Sequence, residues 1–232
     1  TKIKNVSDYG TVEINNGNVI KIVEKKHSDE PGLINTGIYA LNRQIFTELK
    51  KIGLSVRGEY ELTSAIELLI DNHEVNYIIV PENEWLDVGK PWSVLEANTR
   101  ALRSHDKKDY MSSNFIQPVK IGKNVVIGDG CKIGPYATID NDVKIGKNCI
   151  INNSLIMDGV EIGENSHLFY SVVGYDTIIG NDVKTRYKSE KPVPVKLRDK
   201  TYSLESPVGA FISSRICVKY KSVFYPGQII KI

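Results

Sequence analysis

The sequence predicts an α/β layer followed by a parallel β-helix of hexapeptide repeats. Three observations carry that reading. Ile121, Ile127, Ile133, Ile139, Ile145 and Ile151 recur at a spacing of six, a period that belongs neither to a helix nor to simple strand alternation. The first hundred residues instead mix strand-like and helix-like apolar spacing, the grammar of an α/β unit. With 232 residues, 41% of them hydrophobic, the chain is long enough for two domains and too apolar for disorder.

In chain order, residues 12–14 and 19–24 read as a hairpin, because the Asn15-Asn16-Gly17-Asn18 turn between them accepts positive φ. Residues 34–41 and 75–81 are apolar strands. Between them, 43–52 (Ile45, Leu49, Ile52) and 61–72 (Leu62, Ile66, Leu69, Ile70) carry helical spacing. Pro91 sits at a helix start and opens a helix to about residue 103. The polar stretch 105–115 reads as a linker, which places the expected domains at 1–104 and 116–232.

Within the repeats, Gly122, Gly128, Gly134 and Gly146 follow four of the isoleucines, and Val119, Val125, Cys131, Ala137, Val143 and Cys149 stand two residues before each. The i−2 and i pair points to one face, so each hexad is a short strand closed by a turn where Gly, Asn or Asp tolerates an unusual backbone. Three hexads make an 18-residue triangular coil. Ile145, Ile162 and Ile179 are seventeen apart, so one corner has lost a residue. Residues 184–207, with Pro192, Pro194 and Pro207, match no hexad and read as an inserted loop. The spacing then resumes through Ile212, Val218, Phe224 and Ile230.

Composition narrows the partners. Lys and Arg number 30 against 28 Asp and Glu, a net charge of +2 that gives no global field for nucleic acid or an anionic membrane. No apolar run approaches a membrane span and no charged-then-apolar leader opens the sequence, so a cytoplasmic protein is expected. Cys131, Cys149 and Cys217 lack metal spacing and read as buried free thiols.

Residues 1–104 contain DYGTVE (8–13), KIVEKK (21–26), LINTGIY (33–39), RGEYELTSAI (57–66) and WLDVGKPWSVLEAN (85–98). Together and in this order, these motifs resemble the second half of the sugar-1-phosphate nucleotidylyltransferases. The hexads behind them resemble the left-handed parallel β-helix of the two-domain members, above all the archaeal N-acetylglucosamine-1-phosphate uridylyltransferase type. The resemblance implies a partial Rossmann-like nucleotidyltransferase domain. It also implies an activity that turns nucleoside triphosphate and sugar 1-phosphate into NDP-sugar and pyrophosphate, with Mg2+ as cofactor. The family's glycine-rich phosphate cradle does not precede Thr1, so the nucleotide-binding half is expected outside this sequence, and the isolated chain is expected to release no pyrophosphate.

Residue by residue, Glu24 and Lys25 match the family's Glu-Lys pair, a carboxylate for sugar hydroxyls and an ammonium for the sugar phosphate; Lys26 stands where Pro is usual. Asn35 and Gly10 resemble the positions that bind the sugar by amide and by close backbone approach, and Glu59 the acidic residue before Tyr60. Asp87 resembles the magnesium ligand, a hard oxygen donor suited to a cation that bridges phosphates. Ser64 departs from the family's Asp. Read without the resemblance, Glu24, Lys25 and Glu59 are solvated charges, Asn35 and Gly10 turn residues, and Trp85 and Trp92 core anchors.

Family β-helix domains transfer acetyl groups from acetyl-coenzyme A with an outward-facing His as base. His167, one residue after the inward Ser166 in HLFYSVVG, is that candidate; Tyr170 is kept and the family's Gly-Asp is lacking. Lys188, Lys191 and Lys196 in the inserted loop form a patch for coenzyme A phosphates, or else a solvated excursion. Outward Phe169, Tyr170 and Tyr175 suit packing against copies of the chain, and the resemblance implies that the copies close into a homotrimer. Two other readings stay open: a mannose- or glucose-1-phosphate nucleotidylyltransferase with a purely structural β-helix, and a non-catalytic scaffold subunit.

Overall fold

A computed structural model describes residues 1–3, 6, 9–23, 30–72, 75–104 and 114–231. Their contacts divide the chain into two units, Thr1–Asp87 and Val88–Ile232.

In the first unit, β1 (Lys2–Ile3) is followed by a hairpin of β2 (Thr11–Asn15) and β3 (Asn18–Val23), then β4 (Gly32–Leu33), α1 (Ile45–Glu48) and α2 (Leu62–Asp71). The hairpin turns on Asn16 (φ 47) and Gly17 (φ 80), the two left-handed residues that match the twist of paired strands. A register shift between Glu13 and Ile14 bends β2. β1 and β4 pair antiparallel. Val19 and Ile22 of β3 pack with Ile45 of α1 and with Ala65, Ile66, Leu69 and Ile70 of α2, the stripe that the helical spacing predicts.

Two expectations shrink here. The helix read over 43–52 is regular only in α1, whose Ile-Phe-Thr composition is poor for helix, and turns flank it on both sides. The strand read over 34–41 pairs only through a bridge at Ile34 to Thr11, and 75–81 forms no strand. A strand needs a neighbour for its hydrogen bonds, and among the described residues 35–41 and 75–81 have no paired strand beside them.

The second unit opens with α3 (Pro91–Ser104) and continues as a parallel β-solenoid consistent with a left-handed β-helix. One face stacks six rungs, from Val119–Ile121 to Ile229–Ile230, and the other two stack five each. Ile133, Ile139, Ile145 and Ile151 are buried in the central column, with Ile121 and Ile127 packed against it, so all six isoleucines face inward. Each such side chain contributes about 1.5–3 kcal/mol on burial. Asn124, Asp142 and Asp176 turn one corner and Asn148, Asn165 and Asp182 the next, all with positive φ. The glycines after the isoleucines serve differently. A Cβ on Gly146 would lie 2.7 Å from the Glu164 backbone nitrogen, so glycine is needed there for close coil-to-coil approach rather than for an unusual φ. The residue lost per coil falls at the third corner, where Asn153 and Tyr170 each turn the chain in the left-handed region.

The insertion starts one rung later than the spacing indicates. Lys184–Thr185 pairs with both neighbouring coils, and Thr185 is buried in the inward column; its polar side chain hid the rung. The inserted segment folds as an antiparallel hairpin, Val193–Leu197 with Lys200–Leu204, and buries Val193 and Val195 in a cluster with Trp92, Leu95, Val172 and Phe211. Trp92 lies 5.1 Å from the Tyr202 ring and 6.1 Å from that of Phe211. Helix α3 therefore packs with the prism, so that the two contact units part between Asp87 and Val88 rather than at the end of this helix. Cys131 and Cys149 are buried as expected, but Cys217 is exposed because it occupies an outward position beside Ile178.

Candidate functional sites

In the first unit, three segments are tied together near Asp87. The Asn35 amide donates to the Gly10 carbonyl (2.8 Å), the Trp85 indole donates to the Thr36 carbonyl (3.2 Å), and the Trp85 ring meets the edge of Tyr9 at 5.7 Å. Trp85 is thus the anchor that sets Gly10, Asn35 and Asp87 on neighbouring loops. The Asn35 side chain is engaged within its own loop: its oxygen accepts from the Gly37 N–H (3.1 Å) and its NH2 donates to the Tyr39 hydroxyl. Asp87 is half-buried, and its carboxylate has no hydrogen-bond or ion-pair partner among the described residues. Glu59 is exposed and lies 3.7 Å from Arg57, which also bonds Glu61 at 3.0 Å, so it belongs to an exposed ion-pair group. Glu24 and Lys25 lie outside the described residues.

Among the described residues no cluster of three or more His, Cys, Asp or Glu can hold a metal. Asp87 alone still fits Mg2+, which binds one or two carboxylates and completes its shell with water and phosphate oxygens.

On the prism, His167 is half-buried on an outward position of the third face, between Ile150 of the preceding coil and Lys184 of the next. Burial, and then the Lys184 charge, hold its pKa below the ordinary 6.5, so the imidazole is neutral at pH 7. Phe169 lies 6.3 Å away and leads to Tyr187, which stacks on Tyr170 with centroids 5.2 Å apart. Burial and then Tyr187 raise the Tyr170 pKa. Tyr170 and Tyr187 line an open groove of about 730 Å³ with Lys188, Ser189, Glu190 and Pro207. Lys188 sits over the Tyr187 ring at 5.6 Å. Lys191 is exposed next to this groove, whereas Lys196 is on the hairpin opposite Thr201. Sequence reasoning missed the aromatic row because Phe169 and Tyr187 are brought together only by stacking of coils.

Residues 1–104 match the nucleotidyl transferase family and 115–203 the GMPPB C-terminal domain. The chain thus joins a segment similar to nucleotidyl transferases to a β-solenoid. Across 97% of its length it is 33% identical to a bifunctional sugar-1-phosphate nucleotidylyltransferase/acetyltransferase from Sulfurisphaera tokodaii, covering 63% of that protein. It is 30% identical to the bifunctional protein GlmU of Methanococcus aeolicus, again over 97% of this chain and 61% of the relative. Mannose-1-phosphate guanylyltransferase 1 of Arabidopsis thaliana is 27% identical over 88% of the chain and 56% of the relative. The chain thus spans about three-fifths of the length of the first two relatives. Among the described residues no helix is long and apolar enough to cross a membrane.

Proposed function

We propose that the chain forms the sugar-phosphate side of a sugar-1-phosphate nucleotidylyltransferase of the UDP-N-acetylglucosamine type, with an acetyl-transfer site on the solenoid. The observation that supports this most is the joining of the Gly10, Asn35 and Asp87 loops by Trp85, in a chain that aligns over 97% of its length with part of a bifunctional relative. Asp87 would hold Mg2+ against the sugar phosphate, Lys25 would neutralise that phosphate, and Gly10 and Asn35 would shape the sugar side. The cation would supply charge neutralisation at the transferring phosphate.

On the solenoid, neutral His167 is suited to take a proton from a sugar amine as it attacks the acetyl thioester of coenzyme A. The groove beside Tyr170 and Lys188 would lie under the anionic donor. Calorimetry with N-acetylglucosamine 1-phosphate and Mg2+ tests the first site: Asp87→Asn should abolish the Mg2+ dependence of binding. Thiol release from acetyl-coenzyme A with glucosamine 1-phosphate tests the second, and should vanish in His167→Ala. A second reading, a mannose-1-phosphate nucleotidylyltransferase with a structural solenoid, is favoured by the match of 115–203 to the GMPPB C-terminal domain. Binding of mannose 1-phosphate without any thiol release would select it.

A further inference from the structure

The prism face that carries His167 has charges of one sign only. Coil after coil, its outward positions are Lys132, Ile150, His167, Lys184 and Val223. Asn152, Phe169, Arg186 and Tyr225 follow in the column alongside, and no Asp or Glu stands in either column. The other five-rung face differs, since Lys144 there meets Glu161 of the next coil at 2.7 Å. Lys184 and Arg186 are exposed, two residues apart and therefore on one side of their strand, and neither has an ion-pair partner among the described residues. The Arg186 guanidinium lies 5.7 Å from the centre of the Tyr225 ring. Between the two cations, the Thr185 hydroxyl accepts the Phe169 N–H at 2.7 Å and ties their strand to that of His167.

Two cations held side by side without a carboxylate repel each other, and an anion between them relieves that repulsion. Phosphate suits the pair, because Arg offers a planar fork of donors and Lys a compact charge. Position then selects which phosphate. Lys184 is the register partner of His167, so base and cation stand one strand spacing apart, about 4.8 Å. An amine and a phosphate on neighbouring carbons of a sugar ring are separated by a comparable distance. The phosphates of an acyl-coenzyme A donor do not match, since a whole pantetheine arm separates them from the thioester that the amine attacks.

We propose that Lys184 and Arg186 form a phosphate seat that makes the solenoid site specific for an amino sugar phosphorylated on the carbon next to its amine. With the phosphate between these two side chains, the amine meets the imidazole of His167 on the preceding coil. The proposal rests on the acetyl-transfer reading for the class of acceptor; the seat itself rests on the register of the coils and on the lack of any carboxylate on this face.

The experiment offers the 232-residue chain three ligands with one ring: glucosamine 1-phosphate, glucosamine 6-phosphate and glucosamine. Binding is read without any donor from the NMR signals of the His167 imidazole, identified by their loss in His167→Gln, so that binding elsewhere on the chain is not counted. At pH 8 the imidazole is neutral with or without Lys184, because burial is the larger cause of its low pKa. Glucosamine 1-phosphate is expected to bind about tenfold or more tighter than the other two. Lys184→Gln and Arg186→Gln, at side chains already in solvent, should each remove most of that preference, and Lys184→Arg should keep it. With acetyl-coenzyme A added, the Gln variants should raise KM for glucosamine 1-phosphate about tenfold or more and leave KM for the donor unchanged. Equal binding of the three sugars by the parent, or Gln variants as selective as the parent, would overturn the proposal. A raised KM for the donor instead would assign both cations to coenzyme A phosphates and overturn it too. Absence of turnover with the binding preference intact would sink the acetyl-transfer reading and leave the phosphate seat standing.

Discussion

At the residue scale, the prism depends on where side chains are absent. Gly146→Ala places a methyl 2.7 Å from the next coil's backbone nitrogen, which neither coil can relieve without lengthening its hydrogen bonds, so a loss of about 1–3 kcal/mol is expected by denaturant unfolding. Asn148, already at φ 58, should tolerate Gly with little change, since glycine adopts that conformation freely.

His167 makes a second prediction. Its pKa lies below 6.5 in the folded chain, so the unfolded chain binds the proton more readily; its contribution to stability is full above pH 6.5 and is lost as pH falls from there through the folded value. NMR titration of Lys184→Met should show the value rise but remain below 6.5, because burial is the larger cause. The thiols separate in the same manner. Burial pushes Cys149 up to about 11 and Cys217 is exposed, so a disulfide reagent at pH 8 should modify Cys217 alone until denaturant is added.

At the scale of elements, the inserted hairpin is held by its grip on α3. Val193 and Val195 alternate along one strand and point to the cluster around Trp92, with Lys90 over the Tyr202 ring at 4.8 Å. Trp92→Ala should cost about 2–3 kcal/mol and expose the 198–199 turn to limited proteolysis, whereas Lys196→Ala on the exposed side should change neither. The Val193, Val195 alternation was present in the sequence, but nothing there showed which surface it would cover. The charges around it suggested a solvated loop. Likewise, the apolar runs at 34–41 and 75–81 were legible as strand-forming, and their pairing was not, because strand propensity is a local property and a ladder is a shared one.

At the scale of the whole molecule, self-association would use the prism faces that are free. The six-rung face is covered by α3 and the hairpin, as Leu155, Val172 and Phe211 pack beneath them. The five-rung faces carry exposed Val126, Ile178 and Val223. We expect a homotrimer through these faces, and light scattering that gives a monomer at micromolar concentration would exclude it.

The sequence by itself determined the solenoid, down to its inward column, its corners and the resumption at Ile212, because a repeat of six states the same local rule many times and neighbouring coils need only obey it. It also named Asp87 and His167 by motif. Only the tertiary structure decided that Trp85 gathers the loops of Gly10, Asn35 and Asp87, and that coil stacking builds an aromatic row beside His167. Those are contacts between residues distant along the chain, which no spacing encodes; they exist because burial of an indole or the stacking of two coils favours one arrangement over the alternatives.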